Sequence, residues 1–190
     1  MRSRRRTVAL TEDEILAVTV GVARRHDAPI VLVEHDPSWP ERYRAEEARV
    51  RTTLGPRVIR LEHIGSTPVP GLAARPCIDV LLAVVDSSDE PAYAPALEAA
   101  GHVLAIREPG GHQHRVFTTP AGDVHLHVYS AGCPELARLL LFRDRLRTVP
   151  EERRRYEQAK RELARRLWGY VQNYADAKSE GIEAIIARAR

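Results

Sequence analysis

The sequence has 190 residues, a formal net charge of +3, 44% hydrophobic residues and 29% charged residues. This balance is typical of one globular domain, and the aromatic share of only 5% means that aliphatic side chains must fill its core. No stretch approaches the roughly 18 apolar residues of a membrane span, and the N-terminus lacks the apolar run of a secretory signal. We therefore expect a cytoplasmic protein with no membrane partner.

The positive charge does not predict a nucleic-acid-binding protein. Arginines cluster in residues 2–6 and 151–166, and in the second segment they alternate with glutamates, as on an ordinary solvated helix face. No basic strand carries the interleaved aromatic residues of an RNA-binding sheet. The two cysteines, Cys77 and Cys133, predict no disulfide framework, and Cys77 in an apolar run is predicted to be a small buried hydrophobic residue.

The start of the chain is predicted to lie outside the main domain. Residues 1–10 are basic and predicted to be disordered. Thr11 with Glu14 three residues later is a capping-box signal, which predicts a helix to about residue 25. We therefore expect a basic tail and an extra helix over residues 1–28, and a single domain over residues 29–190. The extra helix could pack on that domain or support a homo-oligomer.

Hydrophobic periodicity and turn residues predict alternating strands and helices in this domain. Strands are predicted at residues 30–33, 58–64, 77–85, 102–107, 116–119 and 124–129. Helices are predicted at residues 41–54, 93–100, 135–148, 151–168 and from about 170 to 189, with a mobile connection at residues 108–115. Because short turns join the last strands, part of the sheet must be antiparallel. The sequence therefore predicts an α/β (α+β) fold, a mixed sheet flanked by helices, with a C-terminal helical bundle.

A glycine-serine bend between two buried strands is the first candidate site. Gly65 lets an anionic group approach the backbone closely, and Ser66 supplies a hydroxyl donor. Asp79 is the one charge in the second strand, and a buried carboxylate needs a partner or a metal ion. Glu62 and His63 point to opposite faces of the first strand, so one of them should face the ligand cleft.

Two histidines on a later strand predict a metal site. His125 and His127 are two residues apart, so their side chains share one face. If Asp79 lies on that face, two imidazoles and a carboxylate form a set suited to zinc, manganese or iron. The alternative is an exposed His125 beside the turn and a hydrogen-bonded, half-buried His127.

The chain resembles the GrpB-like family, a branch of the nucleotidyltransferase fold superfamily, over roughly residues 30–185. The resemblance rests on Asp36-Pro37-Ser38-Trp39-Pro40, on Glu62-His63-Ile64-Gly65-Ser66-Thr67 and on Ile78-Asp79. It implies a nucleotidyltransferase-like sheet in which the Gly-Ser bend holds phosphates and an Asp-x-Asp pair holds divalent metal. Asp79 matches the first aspartate of that pair, but Leu81 stands at the second. His127 falls on the strand that supplies the superfamily's third carboxylate.

Basic side chains complete the predicted site. Lys160 and Lys178, the only lysines, each follow a tyrosine by four residues, and the resemblance implies phosphate ligands at these positions. Arg75 and His63 are further candidate partners for an anion. Surface lysines on solvated helices are the alternative reading.

These observations predict a protein that binds a phosphorylated or anionic small molecule with a divalent metal, and that could transfer a nucleotidyl or related group. Asp79, His127 and Ser66 are the candidate catalytic residues, and magnesium or manganese is favoured over zinc or iron. One alternative is a metal-dependent hydrolase or ligase that uses Asp79 and His127 without nucleotide. The other is a non-catalytic ligand-binding accessory domain that has lost its second carboxylate.

Overall fold

A five-stranded mixed sheet forms the centre of the computed structural model, which describes residues 10–189. The strand order is β1-β2-β5-β4-β3, and only the β2–β5 pair is parallel. The strands are β1 Arg60–Ile64, β2 Ile78–Val84, β3 Val103–Glu108, β4 His114–Thr118 and β5 Val124–Ser130.

Seven α-helices flank the sheet in the described chain. They are α1 Glu12–Val18, α2 Trp39–Leu54, α3 Ala94–Ala99, α4 Pro134–Thr148, α5 Pro150–Ala164, α6 Val171–Ala177 and α7 Ser179–Arg188. Short 3₁₀ turns at Gly55–Arg57 and Glu90–Ala92 complete the order. The predicted fold class, a mixed sheet flanked by helices, is therefore confirmed.

The interior strand β2 is covered on both faces, which explains why its sequence is almost continuously apolar. Val80 and Leu82 pack with α2 and α3 in the main core. Leu81 and Ala83 point to the opposite face, where they pack against Leu136 and Leu140 of α4. Because Asp79 shares the alternation of Leu81 and Ala83, its carboxylate lies on the side of the C-terminal helices.

A second core joins the C-terminal helices to the loop after β1. Val69 and Leu72 of that loop are fully buried against Phe142 and Leu146 of α4, Tyr156 of α5, and Ile185 and Ile186 of α7. The loop that begins with the Gly-Ser bend is thus held by the helical bundle rather than by the sheet alone. Because α5 also carries Lys160, this packing positions Lys160 at the loop.

Two predicted elements are wrong. Residues 30–33 form no strand: Val33 makes an isolated bridge to Ala74 and the Ile30 amide donates to the carbonyl of Ala164, so the segment has two separate backbone contacts rather than a neighbouring strand. Helix α1 starts with the predicted capping box at Thr11 but ends at Val18 instead of about residue 25. The chain turns extended at Thr19, because the next amide, that of Val20, donates to the carbonyl of Ala105 in β3 at 2.9 Å.

Two further boundaries differ from the prediction. The helix expected from residue 170 to 189 is two helices, α6 and α7, which meet at Lys178. The expected mobile connection at residues 108–115 is a tight turn with positive φ at His112 and Gln113, and it leads directly into β4 at His114. His114, which the prediction places in a loop, is therefore the first residue of strand β4.

Helix α1 and Leu10, two residues before it, contact the C-terminal part of the same chain, and the Tyr170 hydroxyl donates to Glu12 Oε1 of α1 at 2.7 Å. The Leu10 amide donates to Asp176 Oδ2 at 2.9 Å, and Asn173 Nδ2 donates to the Leu10 carbonyl at 3.2 Å. The basic tail predicted for residues 1–10 lies almost entirely outside the described residues. None of the helices between residues 10 and 189 is long and apolar enough to cross a membrane.

Candidate functional site

The Gly-Ser bend and Asp79 face each other across the β1–β2 pair. Ile64 is the register partner of Asp79, so the bend at Gly65 follows directly beside the carboxylate. Gly65 has φ +75°, and a Cβ built on it would lie 2.5 Å from Asp79 Oδ2. Only glycine combines this backbone conformation with this approach. The carboxylate therefore faces the bend.

We expect Gly65→Ala to be more destabilising than Gly71→Ala. Gly71 has nearly the same conformation, φ +73°, but a Cβ there meets no atom within 4 Å. Both variants should lose about 1–2 kcal/mol of unfolding free energy from the left-handed backbone. Gly65→Ala should lose more because its methyl group must displace Asp79. Urea unfolding of the two variants measures this, and equal losses would contradict the close approach.

Two histidines of β5 flank the carboxylate. His125 Nδ1 and His127 Nε2 each lie 3.5 Å from Asp79 Oδ1. Burial raises the pKa of Asp79, but the hydrogen bonds and charges of His125 and His127 outweigh it and hold the pKa well below its usual value. The Asp79 side chain is 26% exposed, so a ligand can reach it.

A chain of side chains continues from His127 to the sheet edge. His127 Nδ1 is 3.1 Å from His114 Nε2, and His114 Nδ1 is 3.3 Å from Glu108 Oε2. The His114 ring stacks on Tyr129 with centroids 4.4 Å apart. Sequence reasoning places His114 in a loop, because the register of the β3–β4 hairpin, which brings it beside His127, has no signal in the local residue pattern.

Lys160 is buried at the Gly-Ser bend. Its Nζ donates to Ser66 Oγ at 3.1 Å and to the carbonyl of Ala73. The ammonium also lies 5.1 Å from the centroid of the Tyr156 ring, one turn earlier on α5. Burial, assisted by the positive charge of Lys178, lowers the pKa of Lys160 to about 7. The lysine is therefore a charged partner of the bend below neutral pH.

Lys178 and Arg75 add positive charge to the same region. Lys178 lies at the α6–α7 junction with Nζ 4.4 Å from the centroid of the Tyr174 ring. Burial, and then the charge of Arg75, lower the pKa of Lys178 to about 8. The buried Tyr174 hydroxyl has no hydrogen-bond partner among residues 10–189. Within that range no ion pair is formed by Lys160, Lys178 or Arg75.

His63 does not join this group. It alternates with Ile64 on β1 and packs on the α2 side of the sheet, where its ring stacks on Tyr43 with centroids 4.6 Å apart. Its Nε2 lies 2.8 Å from Thr67 Oγ1, and burial lowers its pKa to about 4. In this position His63 supports the loop through Thr67, and the phosphate-binding role predicted for it stays a prediction.

The other member of that predicted pair, Glu62, is also occupied. Arg143 Nη1 of α4 donates to Glu62 Oε2 at 2.9 Å and to the carbonyl of His63 at 3.0 Å. Arg147, one turn later, donates to the carbonyl of Pro68 at 3.0 Å. These arginines brace the loop after β1 against the bundle.

Leu81, which stands where the resemblance implies a second metal-binding aspartate, is a core residue. Leu81 is fully buried and packs with Ile64, Leu136 and Leu140. It is the register partner of His127, so a carboxylate there would lie beneath α4 rather than in an open cleft. The site is thus built around one aspartate.

Cys77 was missed as a candidate ligand. Cys77, Asp79 and His125 each offer one donor atom, and these three atoms all lie within 4.8 Å of one another. Cys77 precedes Asp79 by two residues, which places both on one side of the extended chain. The two-residue spacing of Cys77 and Asp79 is a sequence signal for a shared site, but the apolar residues around Cys77 favour the prediction of a buried hydrophobic residue.

Several known proteins are similar to this chain. A family model described as GrpB protein matches residues 29–188. A UPF0157 protein of Halalkalibacterium halodurans is 49% identical over 179 residues, 94% of this chain and 92% of that protein. The crystal structure of the conserved protein GrpB from Enterococcus faecalis has a TM-score of 0.74 and 30% identity, covering 84% of this chain and 96% of that chain. The likeness to the Cid1 poly(U) polymerase bound to MgATP is much weaker, with a TM-score of 0.45 and 11% identity, covering 67% of this chain and 45% of that chain. The chain therefore belongs to the GrpB family.

Proposed function

We propose that this protein binds a phosphorylated or otherwise anionic small molecule at the Gly65–Ser66 bend, together with a divalent metal ion at Asp79. The observation that carries the proposal is the positive charge around the bend. Lys160 contacts the bend through Ser66, Lys178 and Arg75 lie in the same region, and none of the three forms an ion pair with a carboxylate in the described chain. Lys160 is buried, and a buried cation is costly unless an anion compensates it, so the site favours an anionic ligand.

The chain's own groups suit binding and orientation of a phosphate. Lys160 holds the Ser66 hydroxyl at the bend, and the absence of a side chain at Gly65 lets a ligand oxygen approach the backbone. Tyr174, with its unpaired hydroxyl, and Lys178 supply further donors. Asp79 and His125 would hold the metal, which would act as a Lewis acid that neutralises charge on a transferred group. Transfer of a nucleotidyl or related group is the reaction that this arrangement supports best.

The proposal predicts a pH-dependent loss of binding that Lys160→Met abolishes. Wild-type protein should bind ATP or pyrophosphate in the presence of manganese, with affinity falling as the pH rises through about 7, because Lys160 then loses its proton. Lys160→Met should bind at least about 10-fold more weakly at pH 6, since a charge-assisted hydrogen bond is lost. Isothermal titration calorimetry across pH 6–9 measures both effects.

The matched control is Arg154→Met, which removes one positive charge from the exposed face of the same helix α5. It should bind as the wild type does. If the wild type binds neither ATP nor pyrophosphate with magnesium, manganese or zinc, the proposed ligand class is wrong. If Lys160→Met binds as tightly as the wild type, Lys160 is not part of the site.

The grouping of Cys77, Asp79 and His125 supports a second candidate, a metal-dependent hydrolase of small molecules that needs no nucleotide. Three protein ligands with an open position are typical of hydrolytic zinc sites. The two candidates differ in the substrates that they need. A hydrolase would cleave its substrate with the metal and water alone, whereas a transferase of the first kind would also need a nucleotide as the donor of the transferred group.

A further inference from the structure

We infer that Cys77 is a thiolate ligand, together with Asp79 and His125, of a zinc-class ion, meaning zinc, ferrous iron or cobalt rather than magnesium. This inference rests on the metal site of the proposed function and specifies its metal. It replaces the reading of Cys77 as a buried hydrophobic residue. It also replaces the preference for magnesium or manganese that the superfamily resemblance implied.

The backbone brings the three ligands together. Asp79 and His125 are register partners on the parallel pair β2–β5, and Cys77 lies two residues before Asp79 on the same side. The distance from Asp79 Oδ1 to His125 Nδ1 is 3.5 Å. Oxygen and nitrogen ligands of a tetrahedral zinc ion stand about 3.3 Å apart. The carboxylate and imidazole thus need almost no movement to share one ion, and the thiol lies within 4.8 Å of both.

The chemistry of the donors favours a zinc-class ion. Magnesium requires six hard oxygen ligands in octahedral geometry, and it is bound through carboxylates, phosphates and water. Here one carboxylate is combined with an imidazole and a sulfur, and the position that would add a second carboxylate is Leu81. Thiolate and imidazole ligands select zinc and related transition metals. Three protein ligands also leave one coordination position for water or for an oxygen of the anionic ligand.

A hydrogen-bonded network of side chains contacts Asp79, one of the proposed ligands. His127 Nε2 contacts the same oxygen of Asp79 at 3.5 Å and is linked through His114 to Glu108. Carboxylates and imidazoles that bind metal ions are commonly oriented by such outer partners. His127 lies outside the group of three mutually close donors, so in this arrangement it orients Asp79 instead of binding the ion.

Cobalt spectroscopy tests this inference without any anionic ligand. Metal-free wild-type protein titrated with Co²⁺ should develop a near-ultraviolet thiolate-to-cobalt charge-transfer band at one equivalent. Cys77→Ser should lose that band and bind Zn²⁺ at least about 10-fold more weakly by competition with a chelating dye. Cys133→Ser is the matched control, because the second free cysteine lies at the start of α4 and outside the ligand group. It should retain the band and the zinc affinity.

The outcomes separate this inference from the proposed function. A wild-type cobalt complex without the thiolate band, or a Cys77→Ser protein that binds zinc as the wild type does, would overturn the inference. Binding of pyrophosphate could persist in either case, and the proposed function would then stand. Conversely, a cobalt band in a protein that binds no phosphorylated compound would support the Cys77 ligand and refute the anionic ligand. Cys77→Ala, with thermal unfolding of both variants, shows whether a lost band reflects a lost ligand or a lost fold.

Discussion

Asp79→Asn is expected to reduce the affinity for the divalent metal, and with it the metal-dependent binding of the anionic ligand, by at least about 100-fold. Substitution of outer partners at metal sites already costs 10- to 100-fold, so loss of the only carboxylate at the centre should cost no less. Asparagine keeps the size of the side chain, and it still fits beside Gly65. The fold should therefore persist. Calorimetric titration with manganese or zinc, with and without pyrophosphate, measures the effect.

The control for this variant is Asp89→Asn. Asp89 is exposed in the loop after β2, so the substitution removes the same charge away from the site. Its metal and ligand affinities should equal those of the wild type. Unchanged metal binding in a folded Asp79→Asn protein would remove Asp79 from the site and with it the proposed function.

Leu81→Asp is expected to destabilise the protein by more than about 3 kcal/mol and to create no new activity. Loss of a buried leucine alone costs about 2–5 kcal/mol, and an unpaired buried carboxylate adds a further penalty. Leu81 is fully buried beneath α4, so its replacement cannot reach a ligand without opening the core. Chemical denaturation gives the loss of unfolding free energy.

Leu81→Met is the matched control, since a swap of similar volume in a packed core usually costs less than about 1.5 kcal/mol. A folded Leu81→Asp protein that transfers a nucleotidyl group would contradict the expectation. It would mean that the chain is a transferase that lost one metal ligand recently, and it would favour the accessory-domain alternative for the natural sequence. A merely unstable variant instead indicates a site remodelled around one aspartate.

The structure could be predicted best from the sequence where the burial of a segment and the periodicity of its side chains indicate the same element. The apolar run around Asp79 predicted a buried strand, because only a strand covered on both faces tolerates such continuity. The four-residue spacing of Tyr156 and Lys160 predicted ring and ammonium on one helix face, and the two groups do lie 5.1 Å apart. Local chemistry of this kind depends on few distant contacts, so it can be read from the chain.

Features that depend on long-range register could not be read in this way. His114 joins His127 only because the β3–β4 hairpin ends where it does. Cys77 lies close to His125 only because β2 and β5 are parallel neighbours in the sheet, although the two strands are far apart in the sequence. Strand alternation predicts that Glu62 and His63 point to opposite faces of the sheet, but it does not predict which of the two faces the ligand. Residues 30–33 have strand-like composition, yet no strand lies beside them.

The segment after α1 has a consequence for the exposed border of the sheet. Thr19 forms an antiparallel bridge with Ile106, and the Val20 amide bonds to Ala105, on the side of β3 away from β4. A free outer strand presents unpaired amides and carbonyls to which another chain can add a strand. The protein therefore covers the middle of this sheet edge with its own backbone, which disfavours edge-to-edge pairing of sheets between molecules.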